Sequence, residues 1–141
     1  MVDQTLIGRK MAQMETYLSQ VKEFSNVSLA AYKKDWKTQR IVERTLQILI
    51  DLCLDIGNHI ISDEKMRLPA GYADIFKVLM ENRVIDKGLW GRMDKMAKFR
   101  NVVVHQYEMI DPAIVVSILH KNLSDFGKYQ KAIARFLASK K

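Results

Sequence analysis

Apolar residues recur three and four apart along almost the whole chain, and no stretch alternates apolar with polar residues at the period of a strand. Such stripes can be buried only by packing helix on helix, so the expected fold is all-α. A first helix over residues 3–24 carries Leu6, Ile7, Met11, Met14, Leu18 and Val21. A shorter piece over 26–34 follows, with Trp36 as the expected break. A second long helix over 38–61 sets Ile41, Thr45, Ile48, Leu52 and Ile56 beside Val42, Leu46, Leu49 and Cys53, a stripe wide enough to need more than one neighbour. Pro69 and Gly71 punctuate the pattern before a short helix over 72–82. Asp86 is placed to cap the helix of "DKGLWGRMDKMAKFRN", and Asp111-Pro112 reads as an N-cap acceptor followed by proline at the first helical position. From there Val115, Ile118, Asn122, Phe126, Tyr129, Ile133 and Phe136 form one stripe, with a bend expected at Gly127. The expectation is one domain over 1–141, a bundle of four to five helices.

With 141 residues, 48% of them hydrophobic, the chain has enough apolar surface for one core. Its single cysteine, Cys53, excludes an intramolecular disulfide and a thiolate metal site, and its apolar setting implies a buried, inert thiol. A reducing cytoplasm is the expected compartment. The first 20 residues scatter charges through any apolar run, which argues against a signal peptide or membrane span. The formal charge of +7 is uneven: residues 37–85 balance, while 86–107 and 120–141 hold the surplus. A positive field of that kind favours a polyanion, nucleic acid first, although basic residues near helix ends are also commonly just solvated.

One segment resists the core pattern. In "RNVVVHQY" at 100–107, stepping by four from Met93 reaches Ala97, Asn101 and His105, and stepping from Met96 reaches Arg100. Polar residues thus continue a stripe that buries methionine and leucine. Arginine is seldom buried without a partner, so this end should face a cleft, a subunit interface or an anion. Tyr107, seven after Arg100, returns to nearly the same face if the helix continues. The plainer reading is that the helix ends here, with arginine and histidine bonding its last carbonyls and the three valines seated in the core. Chemically the group suits RNA cleavage. An imidazole with a pKa of about 6.5 can accept a 2′-hydroxyl proton or give one to a leaving 5′-oxygen. A guanidinium fork suits the charge of a pentacoordinate phosphorane, and Asn101 can orient the imidazole or bind a phosphate oxygen. No metal is required: His59, His105 and His120 lack the spacing of a metal-binding helix motif. Spacing alone favours the structural reading.

A resemblance shifts that balance. Arg100-Asn101-x-x-x-His105-x-Tyr107 resembles the R-x4-H-x-Y motif of HEPN domains, specifically the HepT-like toxins of HEPN/MNT toxin–antitoxin pairs. Residues 39–61 and 72–111 are similar to that family's second helix and central block, about half of the chain. The resemblance implies a metal-independent endoribonuclease without cofactor, acting as a homodimer with the motifs lining a shared cleft. It implies Arg100 and His105 as catalytic pair, Asn101 as their polar neighbour, and products ending in a 2′,3′-cyclic phosphate and a 5′-hydroxyl. Tyr107 would be the AMP acceptor for a cognate MNT nucleotidyltransferase, the antitoxin. The added phosphate and base beside Arg100 would then block RNA.

Lys98, together with Lys128, Lys131 and Arg135 on one face of the last helix, are candidate RNA contacts. A solvated face is the plainer reading of any one of them. His59 and His120 read as core-edge or capping residues. Asp51 and Asp55 are expected to meet Arg40, Arg44 or bases of a partner chain. Asn58 is placed for a polar contact across a dimer seam. Two other functions fit the same fold: a non-catalytic HEPN subunit that binds and supports a partner nucleotidyltransferase, and a purely structural helical dimer.

Overall fold

The computed structural model describes residues 2–140, and every regular element among them is helical. Five helices have ten residues or more: α1 (Gln4–Lys22), α3 (Trp36–Asp63), α4 (Tyr72–Glu81), α5 (Lys87–His105) and α7 (Ser124–Ser139). Two have six, α2 (Leu29–Lys34) and α6 (Pro112–Ser117). The all-α expectation holds, with the five longer helices as the bundle.

The 28-residue α3 is its axis, contacted by α1, α2, α4, α5 and α7. That explains the width of its apolar stripe, in which Val42, Leu49, Ile50, Cys53, Ile56 and Ile60 are fully buried. Burial also pushes the Cys53 thiol well above its usual pKa, consistent with an inert group. Gly57 of α3 lies against both α4 and α7. A Cβ there would lie 2.8 Å from Ile75 Cγ2, 3.0 Å from Leu79 Cδ1 and 3.1 Å from the Tyr129 hydroxyl. The Tyr129 hydroxyl donates to the Cys53 carbonyl at 2.7 Å, and its ring stands edge-on to Phe76 with centroids 5.5 Å apart.

Helix starts follow the side-chain acceptors. Asp86 Oδ1 accepts from the Leu89 N–H at 2.7 Å, and Asp111 Oδ1 from Ala113 N–H at 2.9 Å ahead of Pro112. Trp36 is not the break. Asp35 is, because its carboxylate accepts from the Thr38 N–H (3.1 Å) and Thr38 hydroxyl (2.7 Å), so α3 begins at Trp36 and leaves that ring 64% exposed. Ile41, assigned to the buried stripe, is likewise exposed. α3 and α4 end in left-handed residues that are not glycine, Lys65 (φ 54°) and Arg83 (φ 61°). Each is followed by an N–H bonded back to the helix, Met66 to the Ile61 carbonyl and Val84 to Leu79, both 2.9 Å.

The expected bend at Gly127 falls elsewhere. The continuous stripe from Val115 is interrupted by a π-helical turn at Ile118–Asn122, while Gly127 lies inside regular α7 with open space beside it. The turn presents His120 to the loop before α2, where its Nε2 lies 2.6 Å from the Val27 carbonyl. A carbonyl only accepts, so that nitrogen carries the proton. α5 and α7 are tied by the buried Asp125, whose Oδ1 lies 3.0 Å from Arg92 Nε and whose Oδ2 accepts from Asn122 at 3.3 Å.

Candidate active site

α5 carries Arg100 and His105 to its C-terminal end. Leu89, Met93, Met96 and Ala97 bury its core face, and the helix stops at His105 because Gln106 leaves helical geometry (φ −140°, ψ 46°). Tyr107–Met109 then form a single 3₁₀ turn.

The Arg100 side chain is only 12% exposed, and the anion it meets lies within the chain: its Nε donates to Asp51 Oδ1 of α3 at 2.7 Å. One Nη donates to Asn101 Oδ1 at 3.2 Å, and the guanidinium lies over the Tyr72 ring, 4.6 Å from the centroid. The group is therefore gripped at one edge and on one face. Its other N–H donors have no partner among the described residues, which leaves the outer prongs of the fork able to receive an anion.

Asp51 and Tyr72 are the parts that sequence reasoning missed. Asp51 meets Arg100, and Asp55 meets Lys10 of α1 at 3.5 Å; neither meets Arg40 or Arg44, and Arg40 turns instead to Glu43 at 2.8 Å. Spacing along α3 could not reveal a partner 49 residues away. The available signal was a carboxylate in the apolar run "LIDLCLD" and an arginine on an apolar stripe, two half-buried opposite charges each in need of the other.

Asn101 is half-buried and bonded to Arg100; no hydrogen bond joins it to His105 among the described residues. Nor do Arg100 and His105 bond the last helix carbonyls. Gln106 N–H caps that end, donating to the Val102 carbonyl at 2.8 Å. His105 is exposed. The valines are less buried than expected: Val102 and Val103 are half-buried and Val104 is exposed, because the final turn of α5 projects beyond the core. Tyr107 does not return to the Arg100 face, since the helix has ended, and it is 70% exposed.

The candidate RNA contacts are dispersed. Lys98 pairs with Asp94 at 2.9 Å, and Lys128 lies 4.0 Å from Asp125. Lys131 lines a groove between α1 and α7, and Arg135 lines another beside the turn after α4. Neither groove includes Arg100 or His105. His59 is half-buried on α3. Among the described residues no three His, Cys, Asp or Glu side chains converge as metal ligands, and no helix is long and apolar enough to cross a membrane.

A family model described as "Ribonuclease HepT-like" matches residues 14–133. The chain is 33% identical over 98 residues to the mRNA nuclease HepT of Shewanella oneidensis, covering 70% of this chain and 74% of that one. It is 27% identical over 136 residues to the tRNA nuclease HepT of Aphanizomenon flos-aquae, covering 96% and 92%. Among solved structures, it superposes with a TM-score of 0.85 on a tri-AMPylated HEPN toxin of Shewanella oneidensis in complex with its MNT antitoxin, at 28% identity and 96% and 99% coverage. A toxin–antitoxin complex with AMP-PNP gives 0.86 at 27% identity, covering 93% and 98%.

Proposed function

We infer the activity from one premise: the chain belongs to the HepT-like ribonuclease family. We propose that residues 1–141 form one HepT-like unit that acts as the RNA-cleaving toxin of a toxin–antitoxin pair, with Arg100 and His105 as its catalytic residues. The observation that carries this reading is Arg100 itself, held by Asp51 and Tyr72 with part of its donor fork unpaired, on the same helix end as an exposed imidazole.

In the proposed reaction a neutral His105 takes the proton of a ribose 2′-hydroxyl, and the 2′-oxygen attacks the adjacent phosphorus. Arg100 receives the charge that builds on the phosphoryl oxygens, with Asn101 keeping its Nη in place. A protonated histidine returns a proton to the departing 5′-oxygen. The products are a 2′,3′-cyclic phosphate and a 5′-hydroxyl, and no metal takes part. A homodimer would supply two histidines, so acid and base roles can be divided between protomers.

The partner in this reading is an MNT nucleotidyltransferase, as in the structurally similar complex. Tyr107, with most of its ring exposed on the 3₁₀ turn, is open to adenylylation. The phosphate it would gain lies close in sequence to Arg100 and competes with RNA. Lys98, Lys128, Lys131 and Arg135 add to the field that draws RNA in a cytoplasmic setting.

Purified protein incubated with RNA in EDTA should cleave it; His105→Ala should abolish cleavage and Arg100→Ala should lower it by about 10²–10³-fold. Absence of wild-type cleavage, or its survival in His105→Ala, overturns the reading. Intact mass after co-expression with the MNT partner should rise by AMP units, and Tyr107→Phe should remove the rise.

A further inference from the structure

A recess of about 260 Å³ opens beside Arg100, where the α3–α4 connection meets α3. Its walls are Leu68, Pro69, Gly71, Tyr72 and Ile75, and Asn58 of α3 adds a carboxamide to them. The Tyr72 ring that lines this recess is the one over which the Arg100 guanidinium sits at 4.6 Å. One aromatic side chain therefore both carries the guanidinium and forms part of the recess wall.

We propose that this recess holds the nucleobase next to the scissile phosphate, with Asn58 reading the base edge. This rests on the RNA-cleaving function proposed above. Four observations converge on a base as occupant. The volume is below the roughly 300–1,000 Å³ of sites that enclose drug-sized ligands, which suits one planar heterocycle. Single-stranded RNA is recognised by stacking splayed bases on aromatic rings and bonding their edges, and Tyr72 is exposed over half its surface for that purpose. The Asn58 carboxamide is exposed, has no hydrogen bond among the described residues, and offers one acceptor beside its donors, the pattern needed for a bidentate base contact.

The fourth is rigidity. Leu68 is 89% exposed, yet its neighbour Arg67 is clamped to Asp74 (2.7 Å) and Glu81 (2.6 Å), and the Ala70 N–H donates to Asp74 at 2.8 Å. Leu68 is thus carried on an anchored loop, so the wall it forms is already in place before anything binds. Asn58 follows Asp51 by two helical turns, about 20° around α3 and roughly 10.5 Å along it. The helix that tethers the phosphate-binding arginine also presents the reader of the neighbouring base.

The test uses full-length wild-type protein and oligoribonucleotides that differ only in the bases flanking the cleaved bond. Wild type should prefer one base at one flanking position by about tenfold or more in kcat/KM. Asn58→Ala should reduce that ratio to within about threefold while keeping the wild-type melting temperature and gel-filtration volume. Asn58→Asp, which accepts but cannot donate, should move the preference toward cytosine, whose N4 amine donates. Indifference of wild type to the flanking base, or an unchanged ratio in both variants, overturns the inference and leaves RNA cleavage standing. A change in oligomeric state in Asn58→Ala assigns the recess to a contact between copies and also overturns it. Lack of any wild-type cleavage removes the functional reading on which it rests.

Discussion

Replacing Asp51 by alanine tests the arrangement on which the candidate site depends. The Arg100 side chain is 12% exposed and its Nε bond to Asp51 is 2.7 Å, while Asp51 keeps 34% of its side chain in water. A hydrogen bond between charged groups contributes about 1.5–3 kcal/mol, and an exposed ion pair about 0–1. With one partner mostly buried and the other a third exposed, about 1–2 kcal/mol is expected for the pair. Urea denaturation of wild type, Asp51→Ala, Arg100→Ala and the double variant should return a coupling energy of that size. Asp51→Asn retains an acceptor for Nε but not the charge, so it should fall between wild type and alanine. In cleavage assays Asp51→Ala should lower kcat by about 10–100-fold, since an untethered guanidinium no longer waits where charge develops. KM should not rise, because loss of a carboxylate makes the site more attractive to RNA. A coupling energy near zero would refute the claim that Asp51 holds Arg100. Full coupling with unchanged kcat would refute the claim that holding it matters for catalysis.

Three further predictions concern the fold. Gly57→Ala pushes a methyl against Ile75, Leu79 and Tyr129, and overpacking of about 1–3 kcal/mol should exceed the helix-propensity gain of about 1; Gly8→Ala on α1, with open space around it, should show the gain alone, and thermal melts that move the same way for both would contradict the packing. Arg83→Gly relieves a left-handed residue and should stabilise by about 0.5–1 kcal/mol after the entropy cost of glycine, read as a higher urea midpoint; a lower one would show that Arg83 contributes more than strain. The bonds from Arg67 and the Ala70 N–H hold the Asp74 carboxyl well below its usual range. Their stabilisation is fully present above the unfolded pKa of about 3.9 and is lost as pH falls from there toward the folded value, so the stability gap between wild type and Arg67→Ala should be level near neutrality and narrow below about pH 4. A gap that widens in acid would contradict the assignment.

How much of this was legible in the sequence depended on whether the cause was local. Asp86, and Asp111 with Pro112, mark helix starts because an N-cap acts within three residues. The breadth of apolar positions on α3 announced several neighbours for the same reason, since two helical turns show all faces of a helix within about seven residues. The ends of α3 and α4 fall within two residues of the expected 61 and 82, although lysine and arginine occupy the left-handed positions where glycine is the usual signal. The π turn at Ile118–Asn122 has no composition of its own, and Gly127, the residue that looked like a breaker, is accommodated in regular helix. At the site, the motif residues stood out, but the Asp51 and Tyr72 contacts with Arg100 are tertiary, and periodicity carries no information about which helix lies opposite.

The spacing of the motif has a geometric consequence for the proposed chemistry. Five residues along a straight helix turn a side chain by about 140° and advance it roughly 7.5 Å. Arg100 accordingly faces inward to Asp51 on α3, whereas His105 emerges in the last turn with its ring in solvent. The guanidinium, held at an edge and on a face, therefore points away from an imidazole that stands in solvent. The unwinding at Gln106 removes the next helical turn that would otherwise stand beside His105, so the imidazole can be approached from beyond the helix end. In the proposed homodimer a second protomer arriving there would bring its own Arg100 and His105 into the same space, and a phosphate could then take its guanidinium from one chain and an imidazole from the other. On that geometry, mixing His105→Ala with Arg100→Ala protein should restore part of the cleavage lost by each alone if arginine and histidine act across the seam, and restore none if they act within one chain.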